Sequence, residues 1–231
     1  MEGQTAVITG ATRGIGRAVA GAFAAEGAHV VICARDQEEI RAASEGIRAA
    51  GGEVTATRAD VRDQFDVEQL MEKAAGIGGQ IDYVVANAAV YHGQPGRTPL
   101  TEESYSAFDD HLRTNARGTF STIREAIPHL AGDARILVAS GSVARQSGPG
   151  YGSYAVSKAA AEAVARGFSA DTDFAVGVVD PGRVATDLTG GEGHDPESAA
   201  EQFLWAARDA SAETLDGAVL GRTDWRQATR E

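Results

Sequence analysis

Two residues four apart carry the first sign of chemistry. Tyr154 and Lys158, in the run Tyr151-Gly152-Ser153-Tyr154-Ala155-Val156-Ser157-Lys158, fall one turn apart on one helix face. A phenol titrates near 10, too high for efficient proton exchange at neutral pH. A neighbouring ammonium favours the phenolate and lowers that value. The pair is therefore a workable general acid/base. The chain has five tyrosines and only two lysines, Lys73 and Lys158. Chance would place about 0.04 such pairs in a chain of this length. Tyr151 has no lysine four residues on and is the weaker candidate. Upstream, Ser140 and Ser142 follow the apolar run 135–139. Either hydroxyl could hold a substrate carbonyl oxygen while charge develops there. A strand-end serine taken alone is more often a turn or cap residue.

A second constellation lies near the start. Thr9-Gly10-Ala11-Thr12-Arg13-Gly14-Ile15-Gly16 joins the first apolar run to a helical pattern. Glycine permits the tight turn and lets a ligand approach the backbone. The helix N-terminus then offers free N–H groups and a positive dipole end to a pyrophosphate. Gly10, Thr12, Arg13, Gly14, Ile15 and Gly16 are the expected contacts. An acid at the end of the second strand would bond the ribose 2′-OH of NAD. Here that strand ends Cys33-Ala34-Arg35-Asp36. Arg35 and Arg13 together suit a 2′-phosphate, so NADP(H) is favoured over NAD(H). Asp36 dissents: turned inward, it would bind the 2′-OH and reverse the choice.

These residues need elements to position them. Strand-like runs cover 5–9, 29–34, 54–58, 83–86, 135–139, 174–179 and 218–220. Helical patterns cover 15–25, 38–50, 63–77, 102–113, 118–130 and 151–170, and one more begins at Asp195-Pro196. Strands alternating with helices imply right-handed crossovers and a parallel sheet. The expected fold class is α/β: a three-layer, doubly wound sheet of about seven strands, in one domain over 1–231. The stretch 189–194 holds three glycines in six residues. It reads as part of a short mobile loop, 187–195, over the substrate.

Composition narrows the options. The chain has 231 residues, 43% hydrophobic and 23% charged, and a net charge of −12. That profile belongs to a folded protein. The acid excess argues against nucleic-acid and anionic-membrane partners. A single cysteine, Cys33, forms no internal disulfide. No apolar run approaches a membrane span, and a strand so near residue 1 leaves no room for a signal peptide. A cytoplasmic protein is expected. Glu192, His194 and Asp195 match no usual metal spacing, so no metal is expected. Tyr91 and His92 either line the substrate mouth or sit in a solvated loop.

Taken together, the motifs resemble the compact, single-domain branch of the short-chain dehydrogenase/reductase family, over about residues 5–186. Thr9, Gly10, Gly14 and Gly16 meet its glycine motif. By resemblance, Asp60 with Val61 holds adenine, and Ala86-Asn87-Ala88-Ala89 stands for the asparagine motif after strand four, with Asn87 and Ala88 at the cofactor. Asn115 supports a proton-relay water. Ser142, Tyr154 and Lys158 complete the catalytic set, and Tyr154 and Lys158 also face the cofactor. Pro181-Gly182, Val184 and Thr186 lie at the nicotinamide. The resemblance implies hydride transfer to or from a carbonyl or secondary alcohol, and a homodimer or homotetramer. Ser142 is one residue nearer Tyr154 than the family pattern, which keeps Ser140 in reserve. The segment 186–196 is too brief for a helical lid, which implies an open site and a bulky or loosely selected substrate. The stretch 225–231 lacks the usual final Gly-Gly. A non-catalytic dinucleotide sensor or scaffold of the same fold is the alternative.

Overall fold

The short apolar runs pair side by side. The computed structural model describes residues 1–146 and 148–229. Its strands are β1 (Thr5–Thr9), β2 (His29–Ala34), β3 (Val54–Arg58), β4 (Ile81–Ala86), β5 (Leu130–Ala139), β6 (Ala175–Asp180) and β7 (Val219–Gly221). Among the described residues they form one parallel sheet of seven strands, in the order β3-β2-β1-β4-β5-β6-β7. Every residue of β1 and of β6 is buried, as a sheet covered on both faces requires.

The helices are α1 (Gly14–Ala25), α2 (Gln37–Ala49), α3 (Gln64–Gly78), α4 (Tyr105–His111), α5 (Gly118–Ala126), α6 (Gly152–Asp171), α7 (Pro196–Arg208), α8 (Ala212–Leu215) and α9 (Arg222–Ala228). Successive strand residues point to opposite faces, so β1 feeds two cores. Ala6 and Ile8 pack with Phe23 of α1, Ile40 of α2 and Phe203 of α7. Val7 packs with Leu70 and Met71 of α3, Ile123 of α5 and Ala161 of α6. The strand order reverses between β1 and β4, which opens a crevice at the carboxyl ends of the strands.

Several boundaries differ from the sequence expectation. The helix expected over 102–113 begins later, because Ser104 accepts from the Ala107 N–H and caps α4. It then widens into a π-helical turn, Leu112–Arg117. The helix expected over 118–130 stops at Ala126. Pro128, lacking an N–H, sits in the 3₁₀ turn Ile127–His129, and β5 starts at once. Helices α8 and α9 follow stretches without strong periodicity. The 187–195 loop folds back on itself: the Ala185 N–H donates to the His194 carbonyl at 2.9 Å, and Thr189 Oγ1 donates to the Val184 carbonyl at 2.6 Å. Of the C-terminal stretch 225–231, Arg230 and Glu231 lie outside the described residues.

Candidate active site

The glycine loop is built by close backbone packing between β1 and β4. Gly10 and Gly14 have φ of +67° and +54°, which an L side chain resists. A Cβ on Gly10 would lie 2.8 Å from Ala88 Cα, and one on Gly16 would lie 2.4 Å from Asn87 Nδ2. Asn87 stitches the junction: its Nδ2 donates to the Thr9 and Gly10 carbonyls at 3.0 and 3.1 Å. Thr9 Oγ1 accepts from the N–H groups of Asn87 and Ala88, both at 3.1 Å. No acid stands in the first turn of α1, and no side chain caps it. Its N–H groups therefore remain available to an anion.

Beside this loop runs a cleft of about 680 Å³, within the usual range for a bound cofactor. The predicted residues Gly10, Thr12, Arg13, Gly14, Ile15 and Gly16 line it, as do Arg35, Asp60, Val61, Asn87, Ala88 and Thr186. The glycine cradle, the free helix end and the cleft volume fit a dinucleotide. At one end Asp36 also lines the cleft, but as a helix cap rather than a free carboxylate. Its Oδ1 accepts from the N–H groups of Glu38 and Glu39, both at 2.9 Å, and caps α2. Glu39, which the sequence reading missed, also lines the cleft and accepts from Thr12 Oγ1 at 3.1 Å. Arg13 pairs with Asp187 across the groove at 3.2 Å. Among the described residues Arg35 has no hydrogen-bonded or ion-pair partner and is exposed in the cleft wall. Burial pushes the Cys33 thiol up to about 12, so it is inert in this wall.

Asp60, in the wall of the same cleft, is tied to Arg62. Burial alone would raise its carboxyl, but hydrogen bonds and charge from Arg62 outweigh that and hold it low. Arg62 also reaches Asp110 at 2.9 Å, and Asp110 reaches His92 Nε2 at 2.7 Å. A chain of polar contacts thus runs from Asp60 through Arg62 and Asp110 to His92.

The predicted catalytic residues meet where α6 crosses the carboxyl ends of β4 and β5. Lys158 is 6% exposed, and its Nζ donates to the Ala139 carbonyl at 2.9 Å. It lies 6.0 Å from the centre of the Tyr154 ring. Burial pulls the ammonium down to about 8, against the charge of Glu162. The phenol moves opposite to the sequence expectation. Burial pushes Tyr154 up, and Tyr91, Asp180 and Tyr151 add to the rise. Desolvation thus biases both members towards neutrality.

Asn115 sits in the π-helical turn, a feature common at functional sites. The wider turn aims its amide at β4's exit. Nδ2 donates to the Val90 carbonyl at 2.9 Å and to Ser157 Oγ at 2.8 Å, while Oδ1 accepts from the Val90 N–H at 2.8 Å. Ser140 Oγ is committed to Glu162 at 2.7 Å and is buried. Ser142 stands exposed at the start of a 3₁₀ turn, with its hydroxyl free among the described residues. Tyr91 stacks on Tyr154 with ring centres 4.6 Å apart, so it belongs to the site wall.

Beneath these rings lies a cluster that the sequence reading missed. His111 is fully buried; its Nδ1 is 2.6 Å from Ser153 Oγ and 3.3 Å from Glu103 Oε1. The other ring nitrogen, Nε2, accepts from the His92 N–H at 2.8 Å. Serine and carboxylate therefore share one side of the ring. A nucleophile–base–acid relay needs them on opposite sides, so this cluster is structural. Glu103 accepts the Ser153 N–H and fixes the first turn of α6. A Cβ at Gly152 would lie 2.6 Å from Glu103 Oε2, so only glycine fits there. Pro181, Gly182 and Val184 follow β6. Val184 is buried, and its backbone bridges to His194.

Residues 4–197 match the family model described as short chain dehydrogenase. The chain belongs to that family of oxidoreductases. It is 31% identical, over 90% of its length, to a glycine betaine reductase of Emericella nidulans, of which it covers only 18%. A dehydrogenase/reductase from Sinorhizobium meliloti 1021 superposes with a TM-score of 0.86 at 31% identity, covering 96% of this chain and 94% of that one. A short-chain dehydrogenase from Burkholderia cenocepacia J2315, solved in complex with NADP, superposes with a TM-score of 0.85 at 26% identity, covering 95% and 96%.

Proposed function

We propose that this chain is an NADP-dependent reductase or dehydrogenase acting on a carbonyl or secondary alcohol. The observation that carries the reading is the Tyr154–Lys158 face of α6, set with Asn115 and Ser142 at the sheet edge that bears the glycine cradle. A bound nicotinamide dinucleotide would supply or accept the hydride. Tyr154 Oη gives its proton to the substrate oxygen in reduction and takes it in oxidation. Lys158 holds the phenolate that results and bonds the nicotinamide ribose. The exposed Ser142 hydroxyl orients the carbonyl oxygen, and Asn115 holds the proton path open through its grip on Val90 and Ser157.

The first turn of α1 receives the pyrophosphate, and Arg35 with Arg13 receives the 2′-phosphate. Asp36 favours this choice by being tied to the start of α2. Asp60 and Val61 flank the adenine. Pro181, Gly182, Val184 and Thr186 form the nicotinamide end, and the 187–195 loop borders the substrate. A cytoplasmic homodimer or homotetramer is the assembly we infer. Mixing the protein with NADPH and a panel of ketones and aldehydes should bleach the nicotinamide absorbance. Tight NADPH binding with no turnover of any carbonyl or alcohol would instead establish a sensor.

A further inference from the structure

Lys158 has a carboxylate waiting one turn further along its own helix. Glu162 stands at i+4, on the same face, and is 1% exposed. Yet among the described residues Lys158 forms no ion pair, and its Nζ bonds the Ala139 carbonyl instead. The carboxylate is already taken. Glu162 Oε1 accepts from Ser140 Oγ at 2.7 Å and from Arg145 Nη1. Arg145 Nη2 donates to Asp180 Oδ2, so one guanidinium bridges both acids. Asp180 is 7% exposed, and its Oδ1 accepts the Gly182 N–H at 2.9 Å. Asp180 therefore sits at the turn proposed for the nicotinamide end.

The charge balance is tight. Glu162 on α6 is the charged group that acts on Lys158, and Asp180 at the end of β6 acts on Tyr154; Arg145, after β5, touches both acids. Two cations face two buried acids. Without Arg145, Glu162 would face Lys158, one turn away on α6, and an ammonium in a buried pair is held there strongly.

We propose that Arg145 is a positioning residue: by bridging Glu162 and Asp180 it keeps the Lys158 ammonium out of an ion pair and available to the Tyr154 phenol and the bound dinucleotide. The functional consequence rests on the acid/base reading of Tyr154 and Lys158 given above. Two shifts agree with the geometry. Burial lowers Lys158 to about 8 because the charge of Glu162 opposes it only in part. After burial and the neighbouring Tyr91, Asp180 is a cause of the rise at Tyr154. Loss of Arg145 unmasks Glu162 towards Lys158 and Asp180 towards Tyr154, so both groups move up.

The two-lysine composition allows a direct test. Protein labelled with [ε-13C]lysine shows two lysine signals, from Lys73 and Lys158, and a Lys73→Arg variant assigns them. In the wild type, Lys158 titrates near 8. In Arg145→Gln its midpoint rises by about one pH unit or more. In Arg145→Gln/Glu162→Gln it falls back towards the wild-type value. An unchanged or lower midpoint in Arg145→Gln overturns the proposal. Should that single variant fail to fold, Arg145→Lys makes the same comparison: removing Glu162 must lower the Lys158 midpoint more in the Arg145→Lys background than in the wild type, and equal drops overturn the proposal. The titration needs neither cofactor nor substrate, so it decides the point even if no carbonyl is turned over. Where turnover is found, the alkaline limb of kcat moves with Lys158 in Arg145→Gln. A residue needed only for folding would lower kcat without moving that limb.

Discussion

The two ends of the crevice are built on opposite principles. At the glycine-loop end the charged groups lie in solvent: Arg13 and Asp187, which pair across the groove, are 70% and 74% exposed. At the Tyr154 end the ammonium of Lys158 and the neutral amide of Asn115 are dry, 6% and 1% exposed. Exposed pairs gain little and exchange partners freely. Buried groups are costly unless every bond is made, and are then held in one geometry. The contrast divides the labour. On the function proposed above, the wet end trades a protein carboxylate for a cofactor phosphate, while the dry end holds the Lys158 ammonium in fixed register beside a half-buried phenol.

Substitutions can break that division, and the largest effect belongs at the dry end. Tyr154→Phe should cut kcat by about 10²–10⁴-fold while leaving the NADPH Kd within about twofold, since it removes a proton donor and no phosphate contact. A matching loss of binding would show that the two ends are not separable.

Lys158→Met should abolish turnover and stabilise the fold. The folded-state value near 8 lies below the ordinary 10.5. The unfolded chain therefore holds this proton more tightly, and the penalty is full below pH 8 and fades as pH rises to 10.5. Removing the amine should add on the order of 2 kcal/mol at pH 7 in urea melts, with the gain shrinking above pH 8. A loss of stability would mean that the bond to Ala139 outweighs desolvation.

At the wet end the effects are smaller. Arg35→Ala should weaken NADPH about tenfold by loss of one charged contact, and should leave NADH binding almost unchanged. Equal weakening of both would restore Asp36 or Glu39 as the ribose partner. Smallest of all, Asp187→Asn frees Arg13 from an exposed pair. It should tighten NADPH by no more than about fivefold, an increment that 0.5 M salt erases.

What could be seen in the sequence follows the same division in another guise. The glycine loop and the Tyr154–Lys158 spacing are local, because a turn and a helix bring their own members together. Strands such as 29–34 declare themselves because burial on both faces demands unbroken apolar runs. The exit of α5 was hidden: Pro128 breaks the helix, but the start of β5 depends on pairing with β4. Glu103, His111 and Arg145 were invisible for a stronger reason. Their partners lie far along the chain, 50 positions from Glu103 to Ser153 and 35 from Arg145 to Asp180, and no local pattern marks such pairs. The phenol's shift was misjudged because spacing reports the neighbouring charge but not the loss of water.

The widened turn that carries Asn115 has an evolutionary consequence. A π turn is one residue longer than the α turn it replaces. Deleting a single codon within 112–117 would restore ordinary pitch and leave the helix on either side in register, so only the turn's own residues would lose their places. Asn115 would lose its grip on Val90 and Ser157, while the glycine cradle on the far strand would be untouched. On the function proposed above, one small deletion would therefore cost the acid/base set its Asn115 support while leaving the glycine-loop cleft standing.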